Sequence, residues 1–232
     1  MRSSKWHALG NSYLVVEPGD ERLTPQAVRA LCERADGVVE VVSAGEDDVE
    51  VTIWNADGST AEMSGNGTRI AACWLAQRRG LERVRVRVGP REVGARILAG
   101  GEAETEVGDV EVRGRESVAG VELVVVSVGN PHAVIVGDPS DVVELGPLLT
   151  AHPRFPSGTN VEVARIDAPG QVTARVWERG VGETTASGTG AVAVAAATHG
   201  EGEVTVRFPG GLLHVRLADG RAFLVGPAVP ME

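Results

Sequence analysis

The chain is short of the features that mark a specialised protein. Only Cys32 and Cys73 among its 232 residues are cysteine, with no CxxC pair and no Cys/His cluster. Two cysteines could form one disulfide, but without a secretory signal both are expected as reduced core residues. Aromatic residues make up 3%, so the core must be built from small and β-branched side chains. No stretch approaches the roughly 18 to 20 uncharged apolar residues of a membrane span. The opening "MRSSKWHALGNSYLVVE" lacks the apolar stretch of a secretory signal, and a cytoplasmic location is expected. Basic residues are outnumbered, leaving a formal charge of −10. Nucleic-acid affinity rests on basic patches, so no nucleic-acid partner is expected.

What remains is an ordinary globular composition, 43% hydrophobic and 23% charged, long enough for one large domain or two of roughly 110 residues. Period-two alternation in 48–54, 83–88 and 108–114 predicts half-buried, mostly antiparallel strands. The Arg side of "RVRVRV" (83–88) is expected to be a solvated sheet face. The apolar run 121–129 suits a strand buried on both faces. Segments 170–180, 202–208 and 212–226 continue the series, the last with an Asp219-Gly220 hairpin turn. Helices are expected over 24–35, opened by Thr24-Pro25, and over 67–79 and 188–200. The last has no charged residue until its end and must be enclosed by protein.

The two later helices share an entry. Ser64-Gly65-Asn66-Gly67 and Ser187-Gly188-Thr189-Gly190 each open an apolar run, their serines 187 − 64 = 123 residues apart. Nine residues before each serine stands a polar side chain after a tryptophan, Asn55 and Glu178. This is an internal duplication confined to short motifs. A Gly-rich turn at a helix N-terminus offers backbone N–H groups and a positive dipole end to an anion. Alone, Ser-Gly-x-Gly fits a tight strand-to-helix turn as readily. Two such loops, each with a hydroxyl, suit a reaction with one group on each face of a carboxylate-bearing carbon. Stereoinversion at an amino-acid Cα needs that, one group removing a proton and the other returning one.

The ordered strings "KWHALGNSYLVVE", "NADGSTAEMSGNGTR", "VGNPHAVIV", "HPRFPSGTNVEVARI", "ERGVGETTASGTGA" and "FPGGLLHVRL…LVGPA" resemble those of diaminopimelate epimerases. The resemblance implies an α/β (α+β) fold of two pseudo-symmetric domains, each a curved, mostly antiparallel sheet around a central helix. The domains would be 1–108 plus about 222–232, and 109–221, with the active site between them and 98–108 as the crossing. It implies cofactor-independent interconversion of LL- and meso-diaminopimelate in lysine and peptidoglycan precursor synthesis. A small diamino-dicarboxylate is the implied partner and a homodimer the implied assembly; no metal or membrane partner is expected. By motif, Asn11, Asn55, Asn130 and Asn160 would contact polar groups of the substrate. Gly65-Asn66 and Gly188-Thr189 would hold the α-carboxylate, with Glu178-Arg179 beside the α-amino and carboxylate groups. His132 and Glu178 would tune the catalytic pair. His7 matches the family in a structural role, and His152, His199 and His214 read as surface or loop residues.

The resemblance departs at its centre. The family usually carries cysteine at both loop positions, where this chain has Ser64 and Ser187. Cys73, nine residues along a helix from Ser64, is more than two turns away and cannot substitute. A cysteine titrates near 8.5, and a serine hydroxyl about five units or more higher. At about 1.4 kcal/mol per unit, an alkoxide costs roughly 7 kcal/mol more than a thiolate. A partner base such as His132 or Glu178 would have to take the proton in concert. The segment 33–42 also shortens a Gly-rich stretch that usually follows the first helix. Three activities stay open at this level: the epimerase with serines, native or replacing cysteines, at the acid/base positions, a same-fold isomerase of another amino acid, and a non-catalytic or Cys→Ser-inactivated amino-acid binder.

Overall fold

The structure, a computed structural model, describes residues 2–19, 21–61 and 64–231. Glu62 and Met63 of the "NADGSTAEMSGNGTR" string lie outside the described residues. The chain divides into two compact units, Met1–Glu106 with Val225–Glu232, and Val107–Leu224.

The first unit holds β1 (Ser3–Ala8), β2 (Asn11–Val16), α1 (Pro25–Leu31), β3 (Gly37–Ala44), β4 (Asp48–Asn55), β5 (Thr60–Ala61), α2 (Gly65–Arg79), β6 (Arg83–Val88) and β7 (Arg91–Leu98). β8 (Glu102–Asp109) carries the chain onward. The second unit holds β9 (Glu111–Val118), β10 (Val121–Ser127), β11 (Pro131–Val136), α3 (Val142–Thr150), β12 (Asn160–Ala168), β13 (Gln171–Glu178), β14 (Gly182–Thr184), α4 (Gly188–Thr198), β15 (Gly202–Phe208) and β16 (Gly211–Ala218); β17 (Arg221–Pro227) begins in it and ends in the first unit, which resumes at Val225. A short β18 (Val229–Pro230) returns to pair with β1.

One topology occurs twice. β1–β2, β3–β4 and β6–β7 are antiparallel, whereas β2–β3 and β4–β6 are parallel. In the second unit β10–β11, β12–β13 and β15–β16 are antiparallel, and β11–β12 and β13–β15 parallel. Parallel neighbours need a crossover, and each parallel pair has a helix between its strands. The repeat aligns Tyr13 with His132, two residues after each Gly-Asn turn, and Asn55 with Glu178 at the ends of β4 and β13.

Each unit encloses its own helix. Every residue of α2 from Asn66 to Ala76 is buried, as is every residue of α4 from Gly190 to Ala196. α2 packs on β1 to β4, β6 and β7, and α4 on β10 to β13, β15 and β16. Ile70 and Leu75 are wholly enclosed by valines of the sheet; burying such a side chain contributes about 1.5–3 kcal/mol. The arginines of β6 face solvent and its valines the core, as expected.

Several sequence expectations need correction. The strand expected over 108–114 is the end of β8 and the start of β9, broken at Val110. The stretch 98–108, expected as the crossing, contains most of β8, and the units change within it, between Glu106 and Val107. The first helix stops at Leu31 and tightens into a 3₁₀ turn over Cys32–Arg34. Cys73 is a free, buried cysteine, but Cys32 is only half-buried. α3 was not expected, since Gly146-Pro147 interrupts its sequence. Its glycine has a packing reason: a Cβ at Gly146 would lie 2.5 Å from Trp177 Cγ. The helix therefore rests directly on the indole that precedes Glu178. Gly146→Ala should cost about 1–3 kcal/mol in a urea unfolding titration, the usual penalty of overpacking a rigid contact. An unchanged midpoint would show that α3 does not bear on Trp177.

Candidate active site

Both Ser-Gly-x-Gly loops are helix N-caps of nearly identical geometry. Ser64 sits at φ −140°, ψ 117° and accepts from the Gly67 N–H at 3.2 Å. Ser187 sits at φ −134°, ψ 128° and accepts from the Gly190 N–H at 3.2 Å. Close contact disfavours a side chain at the fourth position. A Cβ at Gly67 would meet Ile53 Cδ1 at 2.8 Å, and one at Gly190 would meet Glu162 Oε1 and Ser187 Cβ at 3.0 Å. The consequence for chemistry is direct. A hydroxyl oxygen that already accepts an N–H at the positive end of a helix is better able to carry negative charge.

In the second unit Ser187 is buried and its hydroxyl donates to Glu178 Oε2 at 3.4 Å, a long bond of the kind that tightens when substrate arrives. The Thr184 hydroxyl donates to the other carboxylate oxygen at 2.6 Å and fixes its orientation. Burial pushes the Glu178 carboxyl up from its ordinary value, against the pull of the Thr184 bond. The nearby Glu162 charge pushes it the same way. A carboxylate so raised is a stronger base for the serine proton.

Behind this pair lies a buried network. His132 is fully enclosed, with Nδ1 2.8 Å from Glu162 Oε1 and Nε2 3.0 Å from Asn130 Oδ1. Asn130 Oδ1 only accepts, so Nε2 carries a proton. Asn130 reaches on to the Thr189 hydroxyl at 3.5 Å, linking this network to the loop. Asn160 is buried and committed to the backbone: Nδ2 donates to Pro131 O at 3.1 Å, and Oδ1 accepts from Arg179 N at 2.9 Å. The exposed Arg179 side chain lies over Gly158 and donates to Ser157 O at 2.9 Å.

The first unit is built differently around the same loop. Ser64 is half-buried, and its partner is the Tyr13 hydroxyl at 3.4 Å. Asn55, at the position of Glu178, is exposed and donates to the Ser59 hydroxyl at 2.9 Å. Asn66 is buried, its side-chain oxygen accepting from Arg69 Nη2 at 2.5 Å. Asn11 opens β2 half-buried, and His7 caps the preceding turn by accepting from Gly10 N at 3.0 Å.

The family model described as diaminopimelate epimerase matches residues 3–113 and 124–230. The chain belongs to the diaminopimelate epimerase family. It is an isomerase. Similar relatives are the diaminopimelate epimerases of Desulforudis audaxviator, 38% identical over 98% of this chain and 96% of that one, and of Mycolicibacterium vanbaalenii, 38% identical over 99% and 94%. Among solved structures, a predicted epimerase from Pseudomonas aeruginosa aligns with a TM-score of 0.74 at 18% identity, covering 100% of this chain and 97% of its own. A hydroxyproline epimerase from Agrobacterium vitis aligns with a TM-score of 0.69 at 16% identity over 99% and 88%. These two share the fold, which is the two-domain α/β arrangement expected.

For a member of the diaminopimelate epimerase family, the second unit thus brings Ser187, Gly188, Thr189, Glu178, Asn130, Asn160, Arg179 and His132 into one region, and the first brings Ser64, Gly65 and Asn66 together. Asn55 has no hydrogen bond to Ser64 among those described. Two residues escaped the sequence reading. Glu162 alternates with Val161 and Val163 and so looks like the wet side of a strand, yet it is wholly buried. Tyr13 is the only tyrosine of the chain, and its signal was its position two residues after a Gly-Asn turn, where the other half has His132.

Proposed function

We propose that the chain inverts one α-carbon of diaminopimelate, interconverting the LL and meso forms without a cofactor, with Ser64 and Ser187 acting on opposite faces of the reacting carbon. The observation that carries this reading is the Ser187–Glu178 pair at the head of a buried helix. A hydroxyl whose proton has a fixed, raised carboxylate to go to, and whose oxygen accepts an N–H, can act as a base without becoming a free alkoxide. The amide groups of Gly65-Asn66 and Gly188-Thr189 would hold the α-carboxylate and stabilise the carbanion-like transition state. Asn130, Asn160 and Arg179 would serve the distal amino-carboxylate end, which a monocarboxylate substrate lacks. A cytoplasmic homodimer is the setting that the family resemblance implies.

The test is incubation of LL-diaminopimelate with the protein in D₂O, followed by NMR. We expect the α-proton signal to disappear as the meso isomer accumulates with deuterium at the inverted centre. Binding without exchange at high enzyme concentration would reduce the chain to an amino-acid binder. Exchange with proline or another amino acid, and none with diaminopimelate, would reassign the substrate.

A further inference from the structure

The two serines have partners of opposite character. Ser187 faces a carboxylate, which takes protons; Ser64 faces a phenol, which at neutral pH gives them. The Tyr13 ring is seated for this. Tyr13 and Gly37 are register partners in the parallel β2–β3 pair, and a Cβ at Gly37 would lie 2.6 Å from Tyr13 Cε1. The ring therefore occupies the space left by the missing side chain, and the phenol is directed at Ser64 Oγ, which lies at the head of α2.

Beneath the same loop lies a buried cation. Arg69 is the largest fully buried side chain among the described residues. One nitrogen serves Asn66, while Nε and Nη1 have no hydrogen-bond partner among the described residues. Leaving a guanidinium so poorly served inside a protein is costly, and burial draws its pKa down to about 10, still charged at neutral pH. Its electrostatic interactions are with Tyr13 and Cys73. Burial pushes the Cys73 thiol up to about 11, so it is a neutral thiol and does not compensate the charge. The second unit has Val192 at the matching place, five residues after its serine (69 − 64 = 192 − 187). The second loop is thus built without a cation at this place.

We propose that Tyr13 is the proton donor to Ser64, with the charge of Arg69 beneath the same loop favouring the phenolate that the transfer leaves behind. This rests on the proposed function and gives that reaction a resting direction. On one face the Cα–H bond breaks as its proton moves to Ser187 Oγ and the serine's own proton moves to Glu178. On the other face the Ser64 O–H bond breaks as its proton moves to Cα, while the Tyr13 O–H proton moves to Ser64 Oγ. The substrate loses one proton and gains one. Glu178 ends protonated and Tyr13 ends as phenolate, and solvent restores both. In this role Tyr13 acts through Ser64.

Tyr13→Phe removes one oxygen and keeps the ring over Gly37. We expect the kcat of inversion to fall by about 100-fold, within the range of a lost acid–base group, with KM within about twofold of the wild type. In D₂O, one of the two epimers should still wash deuterium into its α-position without inverting, because Ser187 can take and return the proton alone. Loss of exchange in both epimers together with a raised KM would mean that Tyr13 only shapes the pocket. Because tyrosine occurs once in the chain, biosynthetic replacement with 3-fluorotyrosine, a more acidic phenol of nearly the same size, alters this residue alone. That change should raise the inversion kcat by about two- to fivefold with KM unchanged, and it decides the matter even if Tyr13→Phe fails to fold. A kcat indifferent to both changes, in a chain whose wild type inverts diaminopimelate, overturns the role of Tyr13 and leaves the function standing. No inversion by the wild type overturns both.

Discussion

A double variant Ser64→Cys, Ser187→Cys is expected to epimerise diaminopimelate about 100-fold faster than the wild-type chain. Forming an alkoxide costs roughly 7 kcal/mol more than forming a thiolate. Concerted transfer to Glu178 or from Tyr13 avoids part of that cost. If about two fifths of it is felt in the transition state, the barrier contains some 2.8 kcal/mol that a thiol would remove, which is about 100-fold in rate. The loops can accept the change. Each serine oxygen takes a backbone N–H from Gly67 or Gly190 at 3.2 Å, and a sulfur would accept the same bond at a slightly greater length. The measurement is the initial rate of meso product from LL-diaminopimelate, with circular dichroism as a control on folding. A double variant no faster than the wild type would remove proton transfer from these two positions.

The second large effect concerns Glu178. Glu178→Gln keeps the shape and the Thr184 contact but cannot take the Ser187 proton. The expected loss is about 100- to 1,000-fold in kcat, within the range of a general base. The pH profile supplies a sharper check. Glu178 must be ionised to work, and burial raises its pKa above the ordinary carboxylate value of 4.5. Activity should therefore fall on acidification through a pH higher than that value. In Glu178→Gln this acid limb should vanish while the residual rate stays flat across the same range. An acid limb that persisted unchanged would assign it to a different group.

How much of this was legible in the sequence follows from the range of the interactions. The loops "MSGNGTR" and "ASGTGAV" were plain because an N-cap serine and the glycines behind it act within one helical turn, which a short string records. α4 was equally plain, since a helix with no polar face has to be enclosed. The Asp219-Gly220 turn lies where it was expected, with φ of 53° and 73°. α3 was hidden because Gly146 and Pro147 read as a break, and only the indole of Trp177 from another strand explains the glycine. Glu162 was hidden because period-two alternation assigns every second residue to water, whereas β12 is buried on both faces over its first five residues. The asymmetry between the halves was the least visible feature. Ser64 and Tyr13 are 51 residues apart, so nothing local announces that one serine meets a phenol and its counterpart a carboxylate.

Both serines also hold helix starts, so alanine at either position should cost about 1 kcal/mol in stability. That is far smaller than the kinetic effect expected. The most direct test of the central claim is deuterium uptake by LL- and meso-diaminopimelate with the single variants Ser64→Ala and Ser187→Ala. Two groups on opposite faces predict that neither variant inverts the centre, and that each still exchanges the α-proton of one epimer, a different epimer for each variant. Inversion at the wild-type rate by either variant would contradict the account.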